Sequence, residues 1–370
     1  MPLQIVPYSA EHTEAVASFN ERARANQAPF ELSKTPVAGW LPKRDGQTLF
    51  REYFLALDGA TVRGGFTLRR QDFSLKGAQT AIANYQGPLS EGIWDRRQMM
   101  AGVQMLRAAL RDQPMLYALG MGGLNQPLPK LLASAGWQLC PVPFLFKVLR
   151  APGFLRNLQP LRRRRPVAAL MDVAAFTGTG ALAIHAAQRL RTSAKLPSDT
   201  SAEAVREFGL WTDEIWSKAS GIYLFSAIRD RGNQNILFGD GNEKNLIIRC
   251  RRNGQDIGWA VMRCTQMHGD KYFGNMRLGS LVDCLALPGE ESNVVLLATR
   301  HLHQLGSDLV VTNQSHQSWL DALRRSGFSN GPSNFILACS PKLAEALGPL
   351  DAALPGLHFN RADGDGPIHL

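Results

Sequence analysis

An internal repeat constrains this chain more than any other feature of its sequence. With Gly136 placed against Gly327, an offset of 191 residues, two stretches of about forty residues align without a gap. The spacing Gly–aromatic–x3–Pro–x2–Phe occurs in both stretches. Identities under this offset include Val103 with Val294, Leu106 with Leu297, Leu132 with Leu323, Pro141 with Pro332 and Phe144 with Phe335. A repeat of this length indicates two copies of one folding unit.

Both copies have the same predicted order of elements. In the second copy, apolar residues at a helical period predict a helix from about Ser292 to the stop at Gly306. A second helix is predicted up to Gly327, which supplies the left-handed residue that ends helices cheaply. Strands are predicted at 245–250, 257–263, 277–287, 308–312 and 335–338, and in the first copy at 53–56 and 63–69. The pattern predicts two α+β domains, at 1–150 and 201–345, with a connector at 151–200 and a C-terminal tail at 346–370.

Composition excludes several other classes of protein. The chain has 370 residues, 45% of them hydrophobic, and a formal net charge of +10, which is ordinary for a globular protein and not for a disordered or collagen-like one. Its five cysteines show no paired spacing, so neither a disulfide framework nor a thiolate zinc site is expected. Acidic residues near the N-terminus argue against a signal peptide. We therefore expect a cytoplasmic protein.

The basic excess is concentrated in the connector. Arg162–Arg165 form a run of four arginines, followed by an alanine-rich apolar stretch at 167–190. Asp172, His185 and two glycines interrupt that stretch, which argues against a membrane span. Three interpretations remain open. The stretch could be an interdomain helix with solvated arginines, a helix lying on the inner face of an anionic membrane, or an arm that binds RNA.

The repeated element order resembles the GNAT (acyl-CoA N-acyltransferase) superfamily, carried twice. The resemblance covers about 1–150 and 200–345, and it implies two GNAT-like domains in tandem, each a mixed central sheet with flanking helices. It also implies a phosphate-binding [QR]-x-x-G-x-[GA] loop and an acyl-CoA cosubstrate such as acetyl-CoA. Arg97 and Gly102 match that loop in the first copy, although Met100 stands at a glycine position. The second copy has Glu290 and Glu291 there, which would repel a pyrophosphate.

The resemblance also implies positions for catalytic and binding groups. Glu91 and Asp283 are the carboxylates nearest to the strand that carries the base in this superfamily. The tyrosine that often acts as the acid is absent from both last helices. Polar and glycine-rich residues after the next strand are candidates for contact with the cofactor arm or the acceptor. They are Gly122, Asn125 and Asn313, and Asp213, Trp216 and Arg229 are expected to line the acceptor side.

Three functions are consistent with these residues. The first is transfer of an acyl group from acyl-CoA to an amine or hydroxyl of a small molecule or of a cell-envelope or polysaccharide precursor. The second is FemABX-like transfer from aminoacyl-tRNA, the one alternative that calls for a nucleic acid. The third is a catalytically degenerate tandem protein that binds a partner or serves as a scaffold. No metal is expected, because the histidines and cysteines show no ligand spacing.

Overall fold

The computed structural model describes residues 3–159, 165–239 and 244–364. It divides into two compact units. Unit 1 consists of Met1–Pro141 and Asn334–Ala353, and unit 2 consists of Val142–Ser333 and Leu354–Leu370. Each unit is therefore made of two separate pieces of the chain.

The secondary-structure elements are numbered here in chain order. The strands are β1 (Gln4–Pro7), β2 (Phe50–Asp58), β3 (Thr61–Leu75), β4 (Ala78–Ser90), β5 (Leu116–Gly120), β6 (Gln138–Pro141), β7 (Phe144–Val148), β8 (Thr200–Val205), β9 (Phe225–Ala227), β10 (Leu246–Arg252), β11 (Gln255–Gln266), β12 (Arg277–Ala286), β13 (Leu309–Asn313), β14 (Ser329–Gly331), β15 (Ile336–Cys339) and β16 (Leu357–His358). The α-helices are α1 (Thr13–Ala25), α2 (Ala101–Asp112), α3 (Pro127–Ser134), α4 (Ala151–Asn157), α5 (Arg165–Thr177), α6 (Thr179–Arg191), α7 (Leu210–Ala219), α8 (Arg231–Phe238), α9 (Glu291–Gln304), α10 (Gln317–Arg325), α11 (Pro341–Leu347) and α12 (Leu350–Ala353).

The sheet of unit 1 has the strand order β1-β2-β3-β4-β5-β15-β6. Neighbouring strands are antiparallel except β4 and β5, which are parallel. Apolar residues of α2, α3 and the sheet form one buried core, which includes Phe66, Tyr85, Met105, Leu132 and Trp137. The helix α1 contributes to a second core beside β2 and β3. Helices thus cover the sheet through the apolar residues that recur along their sequence.

The sheet of unit 2 repeats this order as β8-β10-β11-β12-β13-β7-β14. Its one parallel pair among the described residues joins β12 and β13, at the same place in the order as β4 and β5. The helices α9 and α10 fall where α2 and α3 fall in unit 1. The predicted stops are present, because Gly306 and Gly327 both have positive φ, at 89° and 87°. The duplication inferred from the sequence is therefore present in the structure, since both units have the same strand order and the same helix positions.

The two units exchange one strand each. The predicted domain boundaries would place Phe144–Val148 with the first half, but β7 pairs with β13 and β14 in unit 2. Conversely, β15 pairs with β5 and β6 in unit 1. A two-residue hairpin between β6 and β7 would need positive φ at Val142 in either favoured turn type, and at Pro143 as well in a type I′ turn. Valine is strained there and proline is fixed near −65°, so the chain does not fold back on itself.

A matched pair of glycines marks the repeat inside the sheets. A Cβ atom added to Gly64 on β3 would lie 2.6 Å from the carbonyl oxygen of Leu89. A Cβ atom added to Gly258 on β11 would lie 2.5 Å from the carbonyl oxygen of Leu285. Both glycines therefore allow the same close approach of backbone, at the same step of each sheet.

The described part of the connector forms the helices α4, α5 and α6 up to Arg191, and the residues from 192 to 199 are not helical. The helices α4, α5 and α6 pack against the sheet of unit 2 through a core that includes Phe154, Met171, Leu278 and Val311. Of the predicted arginine run, Arg162–Arg164 lie outside the described residues. In the part of the chain that the structure describes, no helix is both long and apolar enough to cross a bilayer.

Candidate active site in unit 1 and its counterpart in unit 2

The sheet of unit 1 splits between its two parallel strands. Pairing between β4 and β5 is limited to Ala83 with Leu116 and Asn84 with Tyr117. Beyond that point β4 runs on to Ser90 while paired with β3. Two parallel strands that separate leave backbone N–H and C=O groups on their facing edges, and these groups can bind an extended polar ligand.

The strand β4 carries a bulge at this split. Gly65 of β3 pairs with Leu89, but Thr67 pairs with Gln86, so Gly87 and Pro88 together oppose a single residue. Gly87 has a φ of +50°. A bulge takes its extra residue out of the regular ladder and re-aims the backbone. Sequence reasoning missed this feature, although a Gly-Pro pair inside a strand pattern is a signal for it.

The glycine-rich turn after β5 adopts left-handed backbone throughout. Gly120, Gly122 and Gly123 have φ values of +104°, +73° and +112°, and Met121 has +55°. Gly122 and Asn125, both predicted contacts for the cofactor arm, lie in this turn and are exposed. Glycine is favoured at these three positions because a residue with a Cβ atom adopts such angles only at a cost in energy.

The segment before α2 is basic and exposed. The Arg97 side chain is 88% exposed and pairs with Asp95 at 3.0 Å, and this pairing lowers the pKa of the Asp95 carboxyl. Met100 precedes the helix and is half exposed. A Cβ added to Gly102 would meet ordinary contacts, at 3.6 Å from Leu131 and 3.7 Å from Ser90, so space does not require glycine there.

A cavity of about 340 Å³ lies beside the bulge. Its lining combines aromatic side chains with one carboxylate, Glu31, and one guanidinium, Arg51. The Glu31 carboxylate accepts a hydrogen bond from Arg24 at 2.8 Å, which lowers its pKa. The other lining residues are Tyr8, Phe30, Leu32, Ser33, Tyr53, Phe54, Leu55, Phe66, Thr67 and Gly87. This lining was not singled out from the sequence, because its residues come from five separate segments.

Glu91, the predicted base of unit 1, is a buried ion-paired carboxylate. It begins a short 3-10 helix immediately after β4. One oxygen accepts from Arg22 Nε at 2.7 Å and the other from Arg63 Nη1 at 2.9 Å. Because both oxygens are engaged by guanidinium groups, this geometry suits Glu91 to fixing α1 against the sheet.

The corresponding split in unit 2 is filled by the chain itself. The strands β12 and β13 pair only from Leu278 with Leu309 to Ser280 with Val311. Past that point, the segment 357–363 adds to the end of β13. The Ser315 N–H donates to the Phe359 carbonyl at 3.1 Å, and Gln314 forms an antiparallel bridge with Asn360. The strand β16 in this segment also pairs with β9.

An ionic network ties the filling segment to β12. The Arg229 guanidinium donates to Asp283 through Nε at 3.0 Å and to Asp363 through Nη2 at 2.8 Å. The side chains of all three residues are at most 4% exposed. Asn360 also donates a hydrogen bond to Asp283. Burial raises the pKa of Asp283, and the charge of Arg229 acts in the opposite direction.

Four of the predicted site residues of unit 2, namely Arg229, Asp283, Asn313 and Asp213, form hydrogen bonds within the unit. Asp283 and Arg229 bond to each other, and Asn313 accepts from Arg361 at 3.2 Å. Asp213 lies on α7 and accepts a hydrogen bond from the backbone N–H of Arg231 at 2.8 Å. Within the described ranges, no hydrogen bond or ion pair joins it to the network of Arg229, Asp283 and Asp363. Trp216 is on the same helix and partly exposed. The structure joins Arg229 to Asp283, a pair that the sequence had assigned to different roles.

An aromatic stack with a histidine lies in unit 2 and was also missed. The His358 ring stacks on Tyr223, at 4.4 Å between centroids, and its centroid is 6.1 Å from that of the nearly parallel Trp319 ring. Trp319 Nε1 donates to the Tyr223 hydroxyl at 3.1 Å. Burial lowers the pKa of His358 well below its usual value, so the imidazole is neutral. The C-terminal position of His358 gave no periodic signal in the sequence.

The start of α9 is acidic, unlike the start of α2. Glu290 pairs with Arg252 at 3.0 Å, and Glu291 is buried in the first turn. Carboxylates stabilise a helix N-terminus, but they occupy the place where a phosphate would bind. The two units thus differ at the split between the parallel strands and at the charge of the following helix start, and a phosphate-bearing cofactor depends on both.

Comparison with solved structures identifies the architecture. A GCN5-related N-acetyltransferase from Anabaena variabilis aligns with a TM-score of 0.55 at 9% identity, over 93% of this chain and 74% of that one. A probable N-acyltransferase from Enterococcus faecalis aligns with a TM-score of 0.53 at 9% identity, over 94% and 75%. The N-myristoyltransferase of Saccharomyces cerevisiae with bound myristoyl-CoA and inhibitors has a TM-score of 0.50 at 10% identity, over 92% and 79%.

The chain carries the GNAT fold in tandem. The predicted fold class, two α+β domains with mixed central sheets, is confirmed. No protein-family model and no curated protein sequence matches this chain. In the tandem GNAT architecture the split of unit 1 retains a bulge, a glycine turn and a basic helix start, whereas the split of unit 2 holds the segment 357–363.

Proposed function

We propose that this tandem GNAT-fold protein is an acyl-CoA-dependent acyltransferase whose cofactor binds in unit 1. The observation that carries the proposal is the difference between the two splits. Among the described residues, β4 and β5 share no pairing beyond Asn84 and Tyr117, whereas the equivalent edge of β13 is bonded to the chain's own segment 357–363. Structural neighbours that are named as N-acyltransferases support the reaction class.

The residues of unit 1 fit a coenzyme A molecule. A pantetheine arm contains amide groups, which can pair with the backbone edges that β4 and β5 expose on separating. The left-handed turn at 120–123 lets the backbone approach such a ligand closely. Arg97 and the free N–H groups at the start of α2 suit a pyrophosphate. A bound thioester would supply an activated carbonyl carbon to the acceptor.

The bulge and the adjacent cavity define the proposed acceptor side. We infer that the backbone N–H of Gly87, which the bulge takes out of the regular ladder, stabilises negative charge that develops on the carbonyl oxygen, since Pro88 has no N–H to contribute. Glu31 stays ionised because its pKa is lowered, so it suits holding a cationic or hydroxyl-bearing acceptor. Aromatic walls such as Phe30 and Tyr53 favour the apolar face of a sugar ring. These features support an amine or hydroxyl of a glycan or cell-envelope precursor as the acceptor.

Unit 2 is proposed to be a non-catalytic copy. Its split is closed by bonds to Asn360 and Asp363, and its helix start is acidic. The hypothesis of a catalytically degenerate protein therefore applies to unit 2 alone. Unit 1 is then the unit that carries out catalysis.

Calorimetric titration with acetyl-CoA and with coenzyme A tests the proposal. The wild-type chain is expected to bind both, and Arg97→Glu to weaken binding by about tenfold or more, since a charge-assisted contact becomes a repulsion. Arg111→Glu is the matched control, because it reverses a charge in the last turn of the same helix. No heat of binding at high micromolar ligand would overturn the proposal. Salt-dependent binding of tRNA in its place would favour the aminoacyl-tRNA alternative.

A further inference from the structure

The hairpin formed by α5 and α6 exposes large apolar side chains. Phe176 is 85% exposed, Leu182 is 74% exposed and Leu190 is 89% exposed, with Val173 also exposed. The two helices join at Gly178, which has a φ of +77°. Single exposed apolar residues are common on soluble proteins, but here four large ones are concentrated in one short hairpin. We call these four side chains the hairpin face.

The opposite side of the hairpin is firmly packed. Met171 and Ala175 of α5 are buried in the core that α4 and the sheet of unit 2 complete. A Cβ added to Gly180 would lie 2.5 Å from Leu155 Cδ1 and 3.2 Å from Ala174 Cβ, so the helices are in close contact there. The hairpin face is therefore held outward by a packed inner face, and it cannot be buried by a small rotation of either helix.

A basic groove adjoins the hairpin face. It has a volume of about 550 Å³ and is lined by Lys147 of β7 and by residues of α6 and its C-terminal end. Three of its lining side chains, Lys147, His185 and Arg189, are basic, and none of the lining residues is acidic. The remaining lining residues are Leu182, Ala186, Gln188 and Thr192.

The basic groups of this groove have no carboxylate partner among the described residues. Lys147 is half-buried, and its ammonium donates to the Ser326 carbonyl at 2.7 Å. Within the described ranges, no carboxylate lies within salt-bridge distance of Lys147, His185 or Arg189. A buried ammonium without a carboxylate is unfavourable unless an anion approaches it. The groove is thus chemically suited to a phosphate group.

We propose that the hairpin face and the basic groove together dock on an anionic phospholipid bilayer. Leu182 belongs to both surfaces, so an apolar group and an anionic group must be recognised side by side. A phospholipid at an interface presents this combination, with acyl chains below its phosphate. A soluble phosphate ester would explain the groove but not the exposure of Phe176 and Leu190. This surface lies in unit 2 and is independent of the proposed catalysis in unit 1.

Vesicle co-sedimentation tests this proposal with the full-length protein. The probes are vesicles of phosphatidylcholine alone and vesicles in which about one third of the lipid is phosphatidylglycerol. Wild-type protein is expected to sediment with the second and not with the first. The double variant Phe176→Ser/Leu182→Ser and the double variant His185→Glu/Arg189→Glu should each lose at least about tenfold in partitioning.

Matched controls separate docking from general effects on the surface. Leu210→Ser removes an exposed leucine from α7 (67% exposed, against 74% for Leu182), and Lys218→Glu reverses a charge on the same helix, so both should sediment like wild type. Circular dichroism of each variant confirms folding, which is expected because the altered side chains are exposed.

Four results would overturn the proposal. The first is no sedimentation of the wild type with anionic vesicles, and the second is retention by the Phe176→Ser/Leu182→Ser variant. The third is loss of vesicle binding at millimolar inorganic phosphate under constant ionic strength, which would assign the groove to a soluble ligand. The fourth is a lipid-free dimer that the same variant dissociates in sedimentation velocity, which would assign the hairpin face to a second copy of the chain.

Discussion

Replacing Arg229 by methionine is the perturbation whose energy the structure defines best. The change removes donors to Asp283 at 3.0 Å, to Asp363 at 2.8 Å and to Ser226 at 2.9 Å. It leaves two buried carboxylates without their shared cation. Loss of one partner of a buried ion pair costs about 3–5 kcal/mol, and we expect a cost in that range for unit 2 at neutral pH.

The same variant should acquire a distinctive pH dependence. Without Arg229, burial and the negative charge of Asp363 raise the pKa of Asp283 further above the unfolded value of about 3.9. A group whose pKa is raised in the folded state stabilises the fold at low pH, and this contribution is lost as the pH rises through the folded pKa. The deficit of the Arg229→Met variant should therefore be larger at pH 8 than at pH 5.

Hydrogen exchange at the level of peptides is the suitable assay, because a two-unit chain need not unfold in one step. Peptides covering β12 and the segment 357–363 should exchange faster in the variant, while those covering β3 and β4 should be unchanged. Adding Asp283→Asn to Arg229→Met should restore part of the protection and reduce the pH dependence. Arg231→Met is the control, because its partner Asp213 is 3.8 Å away and both side chains are nearly half exposed. Its cost should be at most about 1 kcal/mol.

The reasoning would be refuted by either of two results. One is a cost for Arg229→Met that is no larger than the cost for Arg231→Met. The other is a deficit that is equal at both pH values or larger at pH 5, since that would mean the two carboxylates do not become uncompensated when Arg229 is removed.

Three further predictions concern packing, hydrogen bonding and thiol chemistry. Gly64→Ala should destabilise unit 1 by about 2 kcal/mol, because its Cβ would lie 2.6 Å from a backbone oxygen, whereas Gly221→Ala, at a position in open space, should change the melting temperature little. Equal melting temperatures for the two alanine variants would contradict this. Tyr85→Phe should be nearly neutral in urea unfolding, because the hydroxyl is buried without a hydrogen-bond partner among the described residues, whereas Tyr117→Phe loses a bond from a guanidinium at 2.8 Å and should cost about 1.5–3 kcal/mol. The reverse order of costs would refute the assignment. Iodoacetamide should alkylate Cys264 before the four buried cysteines, as followed by peptide mass spectrometry, and earlier labelling of a buried thiol would contradict the packing.

The repeat made much of the fold predictable. The stops at Gly306 and Gly327 and the strand at 309–313 follow from short-range signals, namely the φ tolerance of glycine and a run of β-branched residues. The repeat implied a strand before α2, but the bounds of β4 were not predicted, because its mixture of Ala, Gln, Asn and Gly gives no alternation of apolar and polar residues. Here the pairing with β3, which is a long-range contact, overrides weak local propensity.

The strand exchange was not predicted, yet a local cause is present. The residues of β7 and β15 have similar apolar patterns, and nothing in either strand indicates which sheet it joins. The signal lies in the connection, since Val142-Pro143 cannot form the tight turn that a hairpin with β6 would need. Turn chemistry that forbids a hairpin is thus as informative as turn chemistry that favours one.

The candidate site was predicted only in part. The basic start of α2 and the acidic start of α9 could be compared directly from Arg97 and Glu290, because each is local to a helix end. The role of Arg229 could not be predicted from the sequence, because its partners Asp283 and Asp363 lie 54 and 134 residues away along the chain. The tail that contains Asp363 has no periodic pattern, and its burial depends wholly on tertiary contacts.

Hydrogen exchange with and without acetyl-CoA tests the central claim most directly. The account predicts slower exchange on ligand addition in peptides covering 84–90 and 96–105, which contain the bulge and the start of α2. It predicts no change in peptides covering 281–295, where the filled split and the start of α9 lie. Protection of 281–295 with none in 84–105 would contradict the account, because the cofactor would then bind in the copy that the segment 357–363 closes.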